Sequence, residues 1–254
     1  MSLSESLDFP YLSELNEAQR AAVVYNDGPA LVIAGAGSGK TRVLVYKILY
    51  LIDSGYHPRG LMALTFTNKA AREMRHRISQ HIGSRARELR MGTFHSVFLS
   101  ILRQHATLLG YTPDFSIYNT SDSRSRLKAI IKQLGLDDKV YKPNAIHSRI
   151  SSAKNRLITA SAYASYSDFI KYDAKSGLPK IAEIYQRYEA ELRLANAMDF
   201  DDLLLQTNIL FRQHPDVLSL WEERIDYLLI DEYQDTNFAQ YMIARQLMQD
   251  KGAI

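Results

Sequence analysis

Residues Ala34 to Thr41 read Ala-Gly-Ala-Gly-Ser-Gly-Lys-Thr, a run of small residues closed by a Lys-Thr pair. The apolar Ala30-Leu31-Val32-Ile33 before it predicts a buried strand, and the periodic Val43–Ile52 after it predicts a helix. Strand, glycine-rich turn and helix together specify a phosphate-binding loop. Small residues let backbone N–H groups curl around phosphate oxygens, Lys40 reaches the terminal phosphates, and the Thr41 hydroxyl is placed to ligate Mg²⁺. The helix N-terminus adds a favourable dipole for the anion. Ala34 stands where a first glycine is usual, while Gly35, Gly37 and Gly39 keep the turn permissive.

A chain of 254 residues accommodates one large or two modest domains. It contains no cysteine, which excludes disulfides, thiol catalysis and thiolate metal sites. No apolar run approaches the ~20 residues that span a bilayer, and the first eight residues lack the pattern of a secretory signal, so a cytoplasmic protein without a membrane partner is expected. The net charge of +3 is unevenly spread: residues 109–197 carry 14 Lys and Arg against 9 Asp and Glu, leaving the remainder at −2. Such asymmetry fits a polyanionic partner or a solvated set of helix faces equally well.

Apolar runs alternate with helical patterns through the first third, with strands expected at Leu61–Phe66 and around Leu89–Phe94 and a helix from Lys69 to Ile82. This βαβα rhythm predicts an α/β fold with a parallel sheet covered by helices. From 109 to 197 the periodicity is helical, as expected of an inserted helical subdomain, and strand character returns at Tyr227–Ile230. The expected division is therefore 1–108 with 198–254 as a nucleotide-binding domain, interrupted by 109–197. A final helix is expected over Asn237–Met248, capped by Gly252, and Ala253-Ile254 reads as the start of a further strand, which suggests a longer protein.

The strand at 227–230 runs into Asp231-Glu232-Tyr233-Gln234-Asp235. Carboxylates at the carboxyl edge of an open parallel sheet stand where such folds bind ligands. Asp231 is suited to hold Mg²⁺, and Glu232 to orient or deprotonate an attacking water.

These segments, with Leu15–Arg20, Leu64–Ala71, Gly92–Ser96 and Asp199–Leu203, stand in the order of the motifs of the UvrD/Rep/PcrA-like superfamily 1 DNA helicases, which the chain resembles over nearly its whole length. The resemblance implies a RecA-like P-loop domain using ATP and Mg²⁺, with Gln19 reading adenine, Ala34, Gly35, Ala36, Gly37, Ser38, Gly39, Lys40 and Thr41 forming the phosphate loop, and Arg42 stacking on the base. Gln234 would lie near the γ-phosphate and link nucleotide state to DNA. Phe66, Thr67, Asn68, Thr93, His95 and Phe200 would contact single-stranded DNA, through polar contacts to phosphates and aromatic stacking on bases.

Asp199, Asp201 and Asp202 suggest either a metal cluster or a helix N-terminus, with capping the expected role of at least one. Arg124, Arg126, Lys128, Lys132, Arg149, Lys154 and Arg156, near Tyr118, Tyr141 and Tyr163, would by the resemblance face the duplex at a single-strand/double-strand junction. The resemblance further implies 3′-to-5′ translocation and a second RecA-like domain beyond Ile254 that supplies arginine fingers; without it, residues 1–254 are expected to hydrolyse ATP poorly and not to unwind DNA. A helicase-nuclease and a nucleotide-gated binding module are the alternative readings.

Overall fold

The computed structural model describes residues 9–35 and 37–248. Ala36, the first eight residues and the expected features at Gly252 and Ala253-Ile254 lie outside the described residues. Packing divides the chain into two units, one of residues up to Val97 with Ser219–Asp235 and the stretch from Ala244, the other of Phe98–Leu218 with Thr236–Ile243.

In the first unit, α1 (Glu17–Val24), α2 (Lys40–Asp53) and α3 (Asn68–Ile82) accompany a three-stranded parallel sheet. The strands β1 (Leu61–Thr65), β2 (Arg90–Thr93) and a third at Tyr227–Ile230 run in the spatial order β2, β1, 227–230. Every residue of β1 is buried, as a central parallel strand covered on both faces requires. Its register pairs Thr65 with Thr93 on one side and Leu64 with Ile230 on the other. Val45, Ile48, Leu49 and Leu51 of α2 and Met74 and Ile78 of α3 join Leu61 and Ala63 in the core. Helical spacing brings these side chains onto the buried faces of their helices.

The expected strand at Ala30–Ile33 is absent: these residues have no ladder partner in the described sheet, and Leu31 and Ile33 are 67% and 88% exposed. An apolar run signals β propensity, but a strand exists only where a neighbour supplies its hydrogen bonds and cross-strand contacts. Pro29 also removes a ladder donor at the start of this run.

The second unit is mainly helical. It holds most of α4 (Phe94–His105), then α5 (Thr120–Gln133), α6 (Pro143–Asn155), α7 (Ala160–Ser165), α8 (Ser167–Lys175), α9 (Ile181–Leu194) and α10 (Phe200–Gln213). Two three-residue strands, β3 (Ser116–Tyr118) and β4 (Ala197–Asp199), pair in parallel and were not legible as strands in the sequence. The last elements are α11 (Pro215–Arg224), β5 (Tyr227–Ile230, the third sheet strand) and α12 (Phe238–Met248). Leu127, Ile130, Ile146, Ile150, Ile184, Tyr185 and Tyr188 form the centre of the second core.

Several cations expected to face a duplex are paired with carboxylates of the same unit. Lys154 is fully buried, with Nζ 2.8 Å from Asp199, 2.7 Å from Asp202 and 2.7 Å from Glu189. Arg149 binds Asp173 at 2.9 Å and the Tyr163 hydroxyl at 3.0 Å, and Arg126 pairs with Glu191 at 3.2 Å. Tyr141 and Tyr163 are core residues. Part of the basic excess therefore neutralises carboxylates within the unit, while Arg124, Lys128, Lys132 and Arg156 remain exposed.

Candidate nucleotide and nucleic-acid site

Gly39 initiates α2 in the left-handed conformation, φ 87°, with Lys40 and Thr41 as the first two helical residues. The first-turn N–H groups of a helix have no intrahelical acceptor, and this turn contains no acidic side chain, so it is open to an anion. Ser38 folds the loop back, its N–H and Oγ both donating to the Gly35 carbonyl at 3.3 and 2.6 Å. Lys40 Nζ donates to the Ala34 carbonyl at 3.3 Å, a contact it can exchange for a phosphate oxygen. Gly35 and Gly37 are exposed, and nothing lies within 4 Å of a Cβ built on either.

Gln19 meets this loop from α1. Asn16 caps that helix, receiving the Gln19 N–H at 2.9 Å and donating its own N–H to Gln19 Oε1 at 3.2 Å, a reciprocal capping box. The fixed carboxamide then donates from Nε2 to the Ser38 carbonyl at 2.8 Å. A glutamine amide has two donors and two acceptor lone pairs, so one of each remains for a purine edge. Arg42 pairs with Glu14 at 2.9 Å and lies 5.6 Å from the Tyr46 ring centroid. Tyr46 donates to the same carboxylate at 2.6 Å, and chiefly this bond lowers the pKa of Glu14.

At the end of β5, the Asp231 N–H continues the ladder by donating to the Leu64 carbonyl at 2.9 Å. Burial, and next the adjacent Glu232, hold the Asp231 carboxyl above its ordinary pKa, with Lys40 acting in the opposite direction. Glu232 occupies the left-handed region at φ 49°, a conformation that costs a non-glycine residue roughly 1–3 kcal/mol. Gln234 Nε2 donates to Glu232 Oε2 at 2.5 Å. The strained turn therefore sets two neighbouring carboxylates at the carboxyl edge of the sheet.

The same edge carries five of the residues expected at DNA. Phe66 is half-buried against Phe94, ring centroids 5.9 Å apart, while Thr67 and Asn68 are exposed. Thr67 caps α3, accepting the Ala70 N–H at 3.1 Å. Thr93 ends β2, where its Oγ1 accepts the Ser96 N–H at 3.2 Å, and His95 is half-buried on α4. Because Asp231 follows Ile230 in register with Leu64, while Thr65 pairs Thr93, the acidic turn and the β2 turn are two strand spacings apart, about 10 Å.

Phe200 lies in the other unit, 50% exposed at the first position of α10. The acidic triplet around it is structural: Asp199 caps the helix, Asp202 returns the capping bond, and Asp201 accepts from Asn155 Nδ2 at 2.7 Å. Burial and the neighbouring Asp199 raise the Asp202 pKa, while the Lys154 ammonium opposes that shift and the Asp199 carboxyl is held low. Sequence reasoning placed Lys154 at the duplex and did not single out Asn155, because Asp199, Asp202 and Asp201 lie more than forty residues away.

The family model for the UvrD/REP helicase N-terminal domain matches residues 15–254. The chain belongs to this family, and its first unit is a RecA-like α/β domain. Similar proteins include the ATP-dependent DNA helicase PcrA of Leuconostoc citreum, 42% identical over 237 residues, covering 92% of this chain and 31% of that protein. PcrA of Bacillus subtilis (strain 168) is also 42% identical over 237 residues, 93% of this chain and 31% of its own length. The ATP-dependent DNA helicase UvrD1 of Mycobacterium tuberculosis (strain ATCC 25618 / H37Rv) is 42% identical over 240 residues, with 93% and 31% covered. The chain thus spans about a third of the length of these curated relatives. Among the described residues, no helix is long and apolar enough to cross a membrane.

Proposed function

We propose that this chain forms the N-terminal motor half of an ATP-dependent DNA helicase that moves 3′ to 5′ along single-stranded DNA. The observation that carries this reading is the bond from the Asp231 N–H to the Leu64 carbonyl, which sets the acidic turn beside the strand leading to Phe66, Thr67 and Asn68. Nucleotide chemistry and strand contact then share one rigid sheet edge.

In this reading the phosphate loop of Ala34 to Thr41 cradles the triphosphate, Lys40 neutralises its terminal oxygens, Gln19 reads adenine and Arg42 stacks on it. Glu232 accepts a proton from the attacking water as the bond between the γ-phosphorus and the bridging oxygen breaks, and Gln234 orients that carboxylate. The donor set fits Mg²⁺: Thr41 offers a hydroxyl, and the Asp231 carboxyl is held above its ordinary pKa by burial and a like charge that a cation would offset. Magnesium is commonly held by one or two carboxylates with phosphate oxygens and water. When bound, it would neutralise charge on the phosphates.

Residues 1–108 with 198–254 serve as motor domain and 109–197 as the inserted subdomain, whose exposed Arg124, Lys128, Lys132 and Arg156 face a junction between single and double strand. Phe66, Thr67, Asn68, Thr93, His95 and Phe200 contact the strand, and a second RecA-like domain of the same protein closes the nucleotide cleft. The protein serves DNA repair or replication in the cytoplasm.

Glu232→Gln in the full-length protein tests the assignment. ATP binding should persist while turnover falls about 10²-fold or more, the upper part of the range for a positioned general base. Unchanged turnover would favour a nucleotide-gated binding module.

A further inference from the structure

Two consecutive residues at the end of α6 hold the first turn of α10. Lys154 takes Asp199 and Asp202, while Asn155 Nδ2 donates to Asp201 Oδ1 at 2.7 Å. Phe200 stands among these three carboxylates, so the backbone that aims its exposed ring is held by α6. Asn155 Nδ2 also donates to the Ser151 carbonyl of its own helix at 2.9 Å, and its Oδ1 accepts from Asn237 Nδ2 at 2.6 Å. Asn237 caps α12, receiving the Gln240 N–H at 2.9 Å and donating its own N–H to Gln240 Oε1 at 2.9 Å. It is also the second residue after the acidic turn of Asp231–Asp235.

We propose that Asn155 is a positioning residue that couples the acidic turn to Phe200, its carboxamide joining the cap of α12 to the first turn of α10. This inference rests on the proposed motor function. The turn is suited to change with nucleotide, because Glu232 is held in a strained left-handed conformation beside the buried Asp231. A shift in that turn reaches Asn237 through two residues of backbone, then Asp201 and the neighbouring Phe200 through one carboxamide. The helices themselves do not depend on this bridge. Asn208 Nδ2, deeper in α10, donates to the Ala239 carbonyl of α12 at 3.1 Å, and the Asn237 capping box is complete without Asn155.

The test uses the full-length protein, with ATP turnover measured with and without oligo(dT) and oligo(dT) affinity measured without nucleotide. Asn155→Ala should keep unstimulated turnover and nucleotide-free affinity within about two-fold, while stimulation by DNA falls about ten-fold, a typical coupling factor. Asn155→Asp places two carboxylates together and should be uncoupled as well. Combining it with Asp201→Asn restores a donor opposite an acceptor and should recover stimulation, which a purely structural loss would not show. Wild-type stimulation in Asn155→Ala, or a double variant no better than Asn155→Asp, would overturn the coupling role. If the unaltered protein shows no stimulation by DNA, the motor reading fails, and this inference fails with it.

Discussion

Gln19 Nε2 donates to the Ser38 carbonyl at 2.8 Å, tying the α1 capping box to the phosphate loop. Gly39 makes this approach available: a Cβ at that position would lie 2.8 Å from Gln19 Nε2, and its φ of 87° disfavours any side chain. Gly39→Ala should therefore break the Gln19 contact and distort the start of α2. Affinity for ATP should fall about ten-fold or more, equivalent to ~1.4 kcal/mol. Titration with a fluorescent ATP analogue checks this, and unchanged affinity would contradict it.

Asp231→Asn should separate stability from turnover. A carboxyl whose folded pKa is raised contributes stability that is complete below its unfolded pKa and is lost as pH rises through the folded value. The direction at Asp231 is upward, so the asparagine variant should be the more stable at neutral pH without nucleotide, and the gap should close toward the ordinary value of 3.8. A higher melting temperature than that of the native chain is expected at pH 7.5. ATP hydrolysis should be abolished. A lower melting temperature at pH 7.5 would refute the argument.

Lys154, itself away from solvent, balances the carboxylates of Asp199, Asp202 and Glu189. Lys154→Met should leave them without a buried cation and destabilise the second unit by about 3–5 kcal/mol. Adding Asp199→Asn and Asp202→Asn should recover part of that loss. Urea denaturation followed by circular dichroism gives the comparison; a change below about 1 kcal/mol in the single variant would show the cluster to be unimportant for stability.

Lys47 is a buried ammonium with no carboxylate partner among its described contacts. It donates to the Val23 carbonyl at 3.0 Å, to Asn26 Oδ1 at 2.6 Å and to the Tyr25 carbonyl, and it lies over the Tyr50 and Tyr227 rings. Burial lowers its pKa to about 8. From there up to the ordinary value of 10.5, the unfolded chain binds the proton that the folded chain has released, so stability attributable to Lys47 rises with pH. Unfolding free energies of the native chain and Lys47→Met, measured from pH 7.5 to 9.5, should show the native chain gaining on the variant. A difference that stays flat or shrinks would contradict the assignment.

The sequence revealed local features best. Strands at 61–65, 90–93 and 227–230 and the helices after the phosphate loop and after Thr67 follow from apolar periodicity, and the turn-forming glycines and paired acids drew attention to the candidate site. Ala30–Ile33 failed as a strand because pairing depends on a remote partner that composition does not specify. Lys154 and Arg149 looked like surface cations for the same reason: a lysine or arginine on a helix is exposed by default. Their pairing depends on Asp199, Asp202 and Asp173, whose proximity only the fold creates. Asn155 carries no local signal at all, since an asparagine ending a helix is commonplace.

The most direct test of the motor reading is the steady-state ATP hydrolysis rate of the full-length protein with and without single-stranded oligo(dT). A stimulation of about ten-fold or more, lost in Glu232→Gln, is the predicted result, the size of an ordinary coupling free energy between two sites. A rate that does not respond to DNA, at concentrations where the strand is bound, would contradict the claim that one sheet edge joins nucleotide chemistry to strand contact.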